Sequence, residues 1–193
     1  MKKFIFSSLA ILSLTASKVF SEPYFEAKAG YFTYTQDFMQ DIYSSGYDVE
    51  LCGAFPDWKF LQVYTAVGYS HCNGEIDLTH ENSRVYQIPA TIALQGMFKM
   101  AETTNFYMII GPRYIYFNMK NDSIYVPKDV SKSTVGGFFG TGFHTYFNDF
   151  IFLDIFGEYT YAKLGIPSYP HHIDGQTHQI SSYTVGGGLG FSF

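Results

Sequence analysis

No stretch of this chain is apolar for long enough to cross a bilayer as a helix. The longest candidate, Phe4 to Ala16, falls short of the roughly 20 residues that such a span needs. Basic residues are few, twelve against seventeen acids, and none of them cluster into a run. That balance argues against a nucleic-acid partner. Cysteine occurs only twice, so one disulfide is the most that the chain could close on itself. Tryptophan occurs once. There is no linker, no low-complexity tract and no fixed-period repeat, and the length fits one domain. The histidines show no spacing of a structural zinc site. No metal, cofactor or catalytic residue is expected on these grounds.

The N-terminus reads as a secretory signal peptide. Lys2 and Lys3 form a basic n-region, Phe4 to Ala16 an apolar core, and Val19-Phe20-Ser21 a small-residue cleavage site. Residues 1–21 are expected to be removed after Ser21, leaving a single domain over 22–193. Three basic residues leave with the signal. The remainder carries nine basic residues against seventeen acids, a formal charge of −8. Aromatic residues make up 20% of the chain, with 17 tyrosines. Tyrosine suits a surface that is apolar at one end and wet at the other.

Eight segments alternate with period two. They are 23–33, 47–56, 60–70, 84–96, 106–117, 134–147, 151–162 and 180–193. Each is about the length of a tilted membrane strand. In the last, Val185, Gly187, Leu189, Phe191 and Phe193 share one face, while Thr184, Gly186, Gly188, Gly190 and Ser192 share the other. An apolar face and a small or polar face suit a strand between lipid and a polar lumen.

The connections alternate between short and long. Short ones fall near Asp57-Trp58, at 99–105 and at Asn148-Asp149. Long polar ones fall at 34–46, 71–83, 118–133 and 163–179. This is the pattern of tight periplasmic turns and long extracellular loops, and it puts both ends of the barrel on the periplasmic side. The expected fold is all-β, an eight-stranded antiparallel up-and-down transmembrane barrel. In a soluble barrel the apolar set would line the interior instead. Ion pairs and many glycines in the polar set suit a narrow lumen better than a wet outer face.

The polar face carries the chemistry. Glu26, Lys28, Asp48, Glu50, Arg113, His144, Asp154 and Glu158 all fall on it, with Gln62, Gln87, Gln95 and Thr160. An eight-stranded barrel is just wide enough to be filled by its own side chains. Buried charges there must be paired, because a lone buried ion costs several kcal/mol. Arg113, with five donors, is the expected hub, and Glu26, Asp154 and Glu158 its expected partners. A plug is favoured over an open pore.

The entry strand YFEAKAGYF, the loop alternation and the terminal GLGFSF together resemble the small eight-stranded outer-membrane barrels typified by the OmpA transmembrane domain, OmpX and OmpW. The resemblance implies a place in a Gram-negative outer membrane, among lipid and lipopolysaccharide. It implies that Leu189, Phe191 and Phe193 form a C-terminal signal read by the outer-membrane assembly machinery. No peptidoglycan-binding domain of the OmpA type is expected after Phe193. Structural support of the membrane and adhesion-like binding of a host or surface ligand through the four extracellular loops are the implied roles. Small-solute passage is an alternative. A lipid A deacylase of this size resembles a His, a Ser two positions on and a later Glu. Here His144 is followed by Thr145 and Tyr146, with Glu158 further on, so the nucleophile is missing.

The other histidines, His71, His80, His171, His172 and His178, are expected in solvated loops beside Glu75, Asp77, Glu81 and Asp174. Cys52 is expected to be a free, inward-facing thiol. Cys72 is expected in an exposed loop, open to an intermolecular bond. An internal bridge would need Cα atoms within about 7 Å, and the register puts the two roughly 26 Å apart.

Overall fold

The computed structural model describes residues 22–58, 61–76, 81–122, 128–165 and 177–193. The expected leader, 1–21, lies outside them, as do His80, His171 and His172. The elements in chain order are β1 (Tyr24–Tyr34), α1 (Asp37–Ile42), β2 (Tyr43–Trp58), β3 (Leu61–Ile76), β4 (Glu81–Lys99), β5 (Thr104–Asn121), β6 (Asp129–Tyr146), β7 (Ile151–Tyr161), β8 (Lys163–Gly165), β9 (Thr177–Gln179) and β10 (Ser182–Ser192). Eight strands close a barrel in the order β1-β10-β7-β6-β5-β4-β3-β2, every neighbour antiparallel. Over the stretch that all eight strands share, closure leaves no edge unpaired, which is what a wall in hydrocarbon requires.

Alternation decides which way each side chain points. The outward set is apolar: Leu51, Ile92, Ile110, Val135, Ile155 and Leu189 are all exposed on the wall. Aromatics ring this band in two chemical kinds. Tyr31, Tyr47, Tyr114, Tyr116, Tyr161 and Tyr183 lie toward the long-loop end, whereas Phe25, Phe55, Phe98, Phe143, Phe147 and Phe193 lie toward the short-turn end. A hydroxyl-bearing ring suits a boundary rich in polar headgroups, so the two rims face different interfaces. An exposed wall of this kind belongs in lipid.

The strands run further than the sequence pattern suggests. Strands β2 to β6 are 16–19 residues long, against 11 for β1, β7 and β10. The extra residues lie on the long-loop side, because β1 pairs from Tyr24 against Ala54, near the other rim. Much of the expected loops 71–83 and 118–133 is therefore ladder, continued beyond the ends of β1, β7 and β10. Loop 1 folds back as α1, whose Met39 is buried in the barrel mouth. Loop 4 contributes the β8–β9 hairpin, which carries His178.

Cys72 is corrected by this extension. It lies on β3 opposite Gly46 and is 1% exposed, packed inward with Tyr34, Tyr43 and Val85. It is not in an exposed loop, and neither is His71, which pairs with Tyr86 on the outer wall. Cys52 also points inward, where Tyr64 donates its hydroxyl to Sγ at 3.1 Å. Both thiols are free. Cys52 pairs with Ala66, six residues from Cys72, so about 20 Å of strand separates them. A bulky maleimide is expected to label neither thiol in the folded barrel and both after unfolding. Labelling of Cys72 in the folded protein would overturn this placement.

Candidate functional site: the barrel interior

Among the described residues five carboxylates and two cations are buried inside the barrel: Glu26, Asp48, Glu50, Asp154 and Glu158, with Lys28 and Arg113. Register brings them together from distant parts of the chain. Lys28 lies beside Glu50 across β1–β2, and His144 beside Asp154 across β6–β7. Small residues stand opposite the large ones. Gly188 separates Asp154 from Lys28, and Gly190 separates Phe152 from Glu26. A Cβ on Gly190 would overlap the Phe152 ring, and one on Gly188 would overlap Oε1 of Glu26. The glycines of β10 thus make the room in which the network sits.

Lys28 is the centre of the lower half. Its Nζ lies 3.3 Å from Glu158 Oε1, 3.4 Å from Asp154 Oδ2 and 3.9 Å from Glu26 Oε2. It donates to the Tyr107 hydroxyl at 3.2 Å, and that hydroxyl donates to Asp154 Oδ2 at 2.8 Å. The rings of Phe156 and Tyr107 flank the ammonium at 4.7 and 5.2 Å. Ring faces carry negative charge density, so they complete a cage for a desolvated cation.

Arg113 holds a second centre. Nη2 lies 2.9 Å from Glu50 Oε1 and 3.3 Å from Glu158 Oε2. Nε donates to Thr91 at 2.7 Å and Nη1 to Thr160 at 3.3 Å. The guanidinium plane rests 3.9 Å over the Phe138 ring. Of its three expected partners, only Glu158 is in contact. Glu26 and Asp154 face Lys28 instead, and Glu50 takes their place. Glu158 bridges the two cations. Asp48 accepts from Ser70 at 2.5 Å.

His144 is fully buried. Its Nε2 lies 3.8 Å from Asp154 Oδ1 and 3.9 Å from Glu26 Oε2, and its ring stacks on Phe152 at 4.2 Å. Thr145 faces outward on the opposite side of the wall. Tyr146, two positions after His144, packs inward against Phe152, so His144, Tyr146 and Glu158 all lie on the lumen side with no serine among them.

The inward face is less polar than its pattern suggests. An aromatic cluster including Tyr24, Met97 and Phe152 closes the short-turn end, with Tyr146 packed against it. A second, with Phe32, Tyr34, Met39, Tyr43, Phe117, Leu164 and Ile180, fills the long-loop end. Period two marks these residues as inward but does not say that a narrow lumen must be filled by volume as well as by charge. Aromatics on the inward faces of six of the eight wall strands, all but β4 and β10, were the missed signal. Leu189, Phe191 and Phe193 lie outward on the last strand. Phe193 stacks on Phe25 at 5.7 Å, and its N–H donates to the Pro23 carbonyl at 3.0 Å.

No family model and no curated protein sequence matches this chain. Solved structures do. Neisserial surface protein A superimposes with a TM-score of 0.59 at 15% identity, covering 89% of this chain and 97% of that one. This chain has the fold of the small eight-stranded outer-membrane barrels. The outer membrane protein OprG from Pseudomonas aeruginosa gives a TM-score of 0.52 at 16% identity, over 90% of this chain and 98% of that one. The attachment invasion locus protein of Yersinia pestis gives 0.51 at 11%, over 90% and 100%. The barrel's apolar outer band fits the same setting, a bacterial outer membrane.

Proposed function

We propose that this outer-membrane barrel is a sealed scaffold that acts through its extracellular loops, supporting the membrane and binding a host or surface ligand. One observation carries the reading. Ion pairs around Lys28 and Arg113 lie between two hydrophobic clusters in the lumen, which supports the wall and the loops as the working surfaces. Binding residues concentrate on loops held by a rigid frame, and here strands β2 to β6 raise that frame beyond the ends of β1, β7 and β10. The attachment invasion locus protein, similar in fold, is an attachment protein by name, which is consistent with such a use of the loops.

Lipid and lipopolysaccharide are the proposed partners of the wall. The assembly machinery is the proposed partner of the terminal strand through Leu189, Phe191 and Phe193, and residues 1–21 the proposed cleaved leader. Two measurements test the loop reading. Planar bilayers containing the purified barrel should show no discrete conductance; reproducible channel steps would favour solute passage. Exchange of residues 77–80 and 166–176 for short Gly-Ser turns should leave folding intact and abolish attachment of cells displaying the barrel to host cells or matrix. Attachment that persists would move the site elsewhere.

A further inference from the structure

We propose that Glu26, His144 and Asp154 form a buried binding site for a divalent transition-metal ion inside the barrel, near its short-turn end. The three side chains come from β1, β6 and β7, and 118 residues separate the first from the second. Spacing along the chain could not reveal such a set. One imidazole and two carboxylates are the ligands expected for zinc, iron or manganese.

Three independent observations support the site. The first is geometric. One ligand atom from each residue lies within 4.8 Å of the others, with His144 Nε2 at 3.8 Å from Asp154 Oδ1 and 3.9 Å from Glu26 Oε2. A point equidistant from three such atoms lies roughly 2.2–2.5 Å from each, so closure by a few tenths of an ångström reaches the 2.0–2.2 Å of zinc–nitrogen and zinc–oxygen bonds. The second is the state of the ligands. Among the described residues no N–H reaches either oxygen of Glu26 or Asp154 Oδ1, and neither ring nitrogen of His144 is hydrogen-bonded; the Glu26 and Asp154 carboxyl groups lie within hydrogen-bond reach of each other. All three side chains are buried. Buried polar atoms are nearly always paired, and so many orphans converging on one point mark a place for a further group.

The third is charge. Among the described residues five buried carboxylates face two buried cations. Lys28 spreads over Glu26, Asp154 and Glu158, and Arg113 serves Glu50 and Glu158. Three carboxylates are in excess, and a divalent ion at His144 would offset two of them. Lys28 approaches Asp154 through Oδ2 while Oδ1 faces His144, and Oε2 of Glu26 lies 3.9 Å from both Lys28 Nζ and His144 Nε2. The site lies near the short-turn end, behind the hydrophobic cluster that closes it. Glu26 lies two residues inside the first strand, and His144 and Asp154 flank the β6–β7 turn. A surface cavity at that end is lined by Glu22, Lys99, Asn105, Tyr146 and Asp149.

The site is independent of the loop reading, and its test does not involve attachment. The barrel is refolded into detergent with and without Zn²⁺, freed of loose ion, and assayed for bound metal by mass spectrometry. Co²⁺ serves as a coloured probe of the ligand field. One equivalent per barrel is expected, with a visible Co²⁺ spectrum and a higher Tm for the loaded protein. Glu26→Gln and His144→Gln should each lose the equivalent and the spectrum, while the loop variant His171→Ala/His172→Ala should keep both. Heat-modifiable gel mobility verifies folding of each variant. Glu26→Gln removes an excess charge at constant shape, so it remains informative even if His144→Gln does not fold. A barrel that binds no equivalent, or whose equivalent survives in folded Glu26→Gln, overturns the proposal; a proton shared by the three groups would give the first of these results.

Discussion

Replacing Arg113 with methionine should destabilise the folded barrel by about 3–5 kcal/mol, the usual cost of leaving a buried charge without its partner. Glu50 is the residue stranded. Among the described residues Arg113 is the cation within ion-pair distance of Glu50, at 2.9 Å, whereas Glu158 keeps Lys28 at 3.3 Å. Thr91 and Thr160 lose a donor as well. The asymmetry makes a second, sharper expectation. Adding Glu50→Gln to Arg113→Met should recover a substantial part of the loss, because a neutral amide is far cheaper to bury than a lone carboxylate. Glu26→Gln, on β1 and within 3.9 Å of Lys28, should recover less. Urea unfolding of the barrel in lipid vesicles measures all four proteins. An Arg113→Met barrel that unfolds at the parent's midpoint would remove Arg113 from the network's centre.

The terminal strand should tolerate neither growth on its inner face nor loss at its end. Gly190→Val places a branched side chain where the Phe152 ring already sits, between Glu26 and Phe152 on the flanking strands. Both neighbours are backbone-held wall positions, so relief requires the seam to open. The fraction of folded, heat-modifiable barrel should fall several-fold. Deleting Phe193 removes the ring stacked on Phe25 and the hydrogen bond to Pro23 that ties the two ends of the wall. Assembly in cells should drop steeply while refolding in detergent suffers less, since detergent refolding needs no assembly machinery. Normal assembly of the deletion would show that the terminal ring is dispensable, and a fully folded Gly190→Val barrel would show that Phe152 can move.

The two halves of the interior network differ in how far they could be read beforehand. Alternation assigns Glu26, Lys28, Arg113, His144, Asp154 and Glu158 to one face without any knowledge of the fold, because a strand has only two faces. It does not say which charges meet. Arg113 reaches Glu50 on β2 and Glu158 on β7, while Glu26 and Asp154 meet Lys28, since strand tilt and side-chain length set the meeting points. The same limit explains Cys72. Its polar neighbours, Asn73 and Gly74, read as loop, yet β3 and β4 continue pairing there and turn the thiol inward. The helix α1 left no periodic signal, being six residues long with no side-chain cap, and it forms because Met39 finds a hydrophobic mouth to fill.

What the amino-acid sequence by itself determined is therefore the wall: eight period-two segments, their order, the side of each turn, and which residues face lipid. These follow from local chemistry, the two-residue repeat of a strand and the preference of turns for polar residues. What only the tertiary structure decided is the filling: the pairing of Glu50 with Arg113, the caging of Lys28 by Phe156 and Tyr107, the seating of α1, and the meeting of Glu26, His144 and Asp154. Those contacts join residues far apart in the chain across a closed lumen. They depend on register, tilt and the room left by Gly188 and Gly190, quantities that exist only once the barrel has closed.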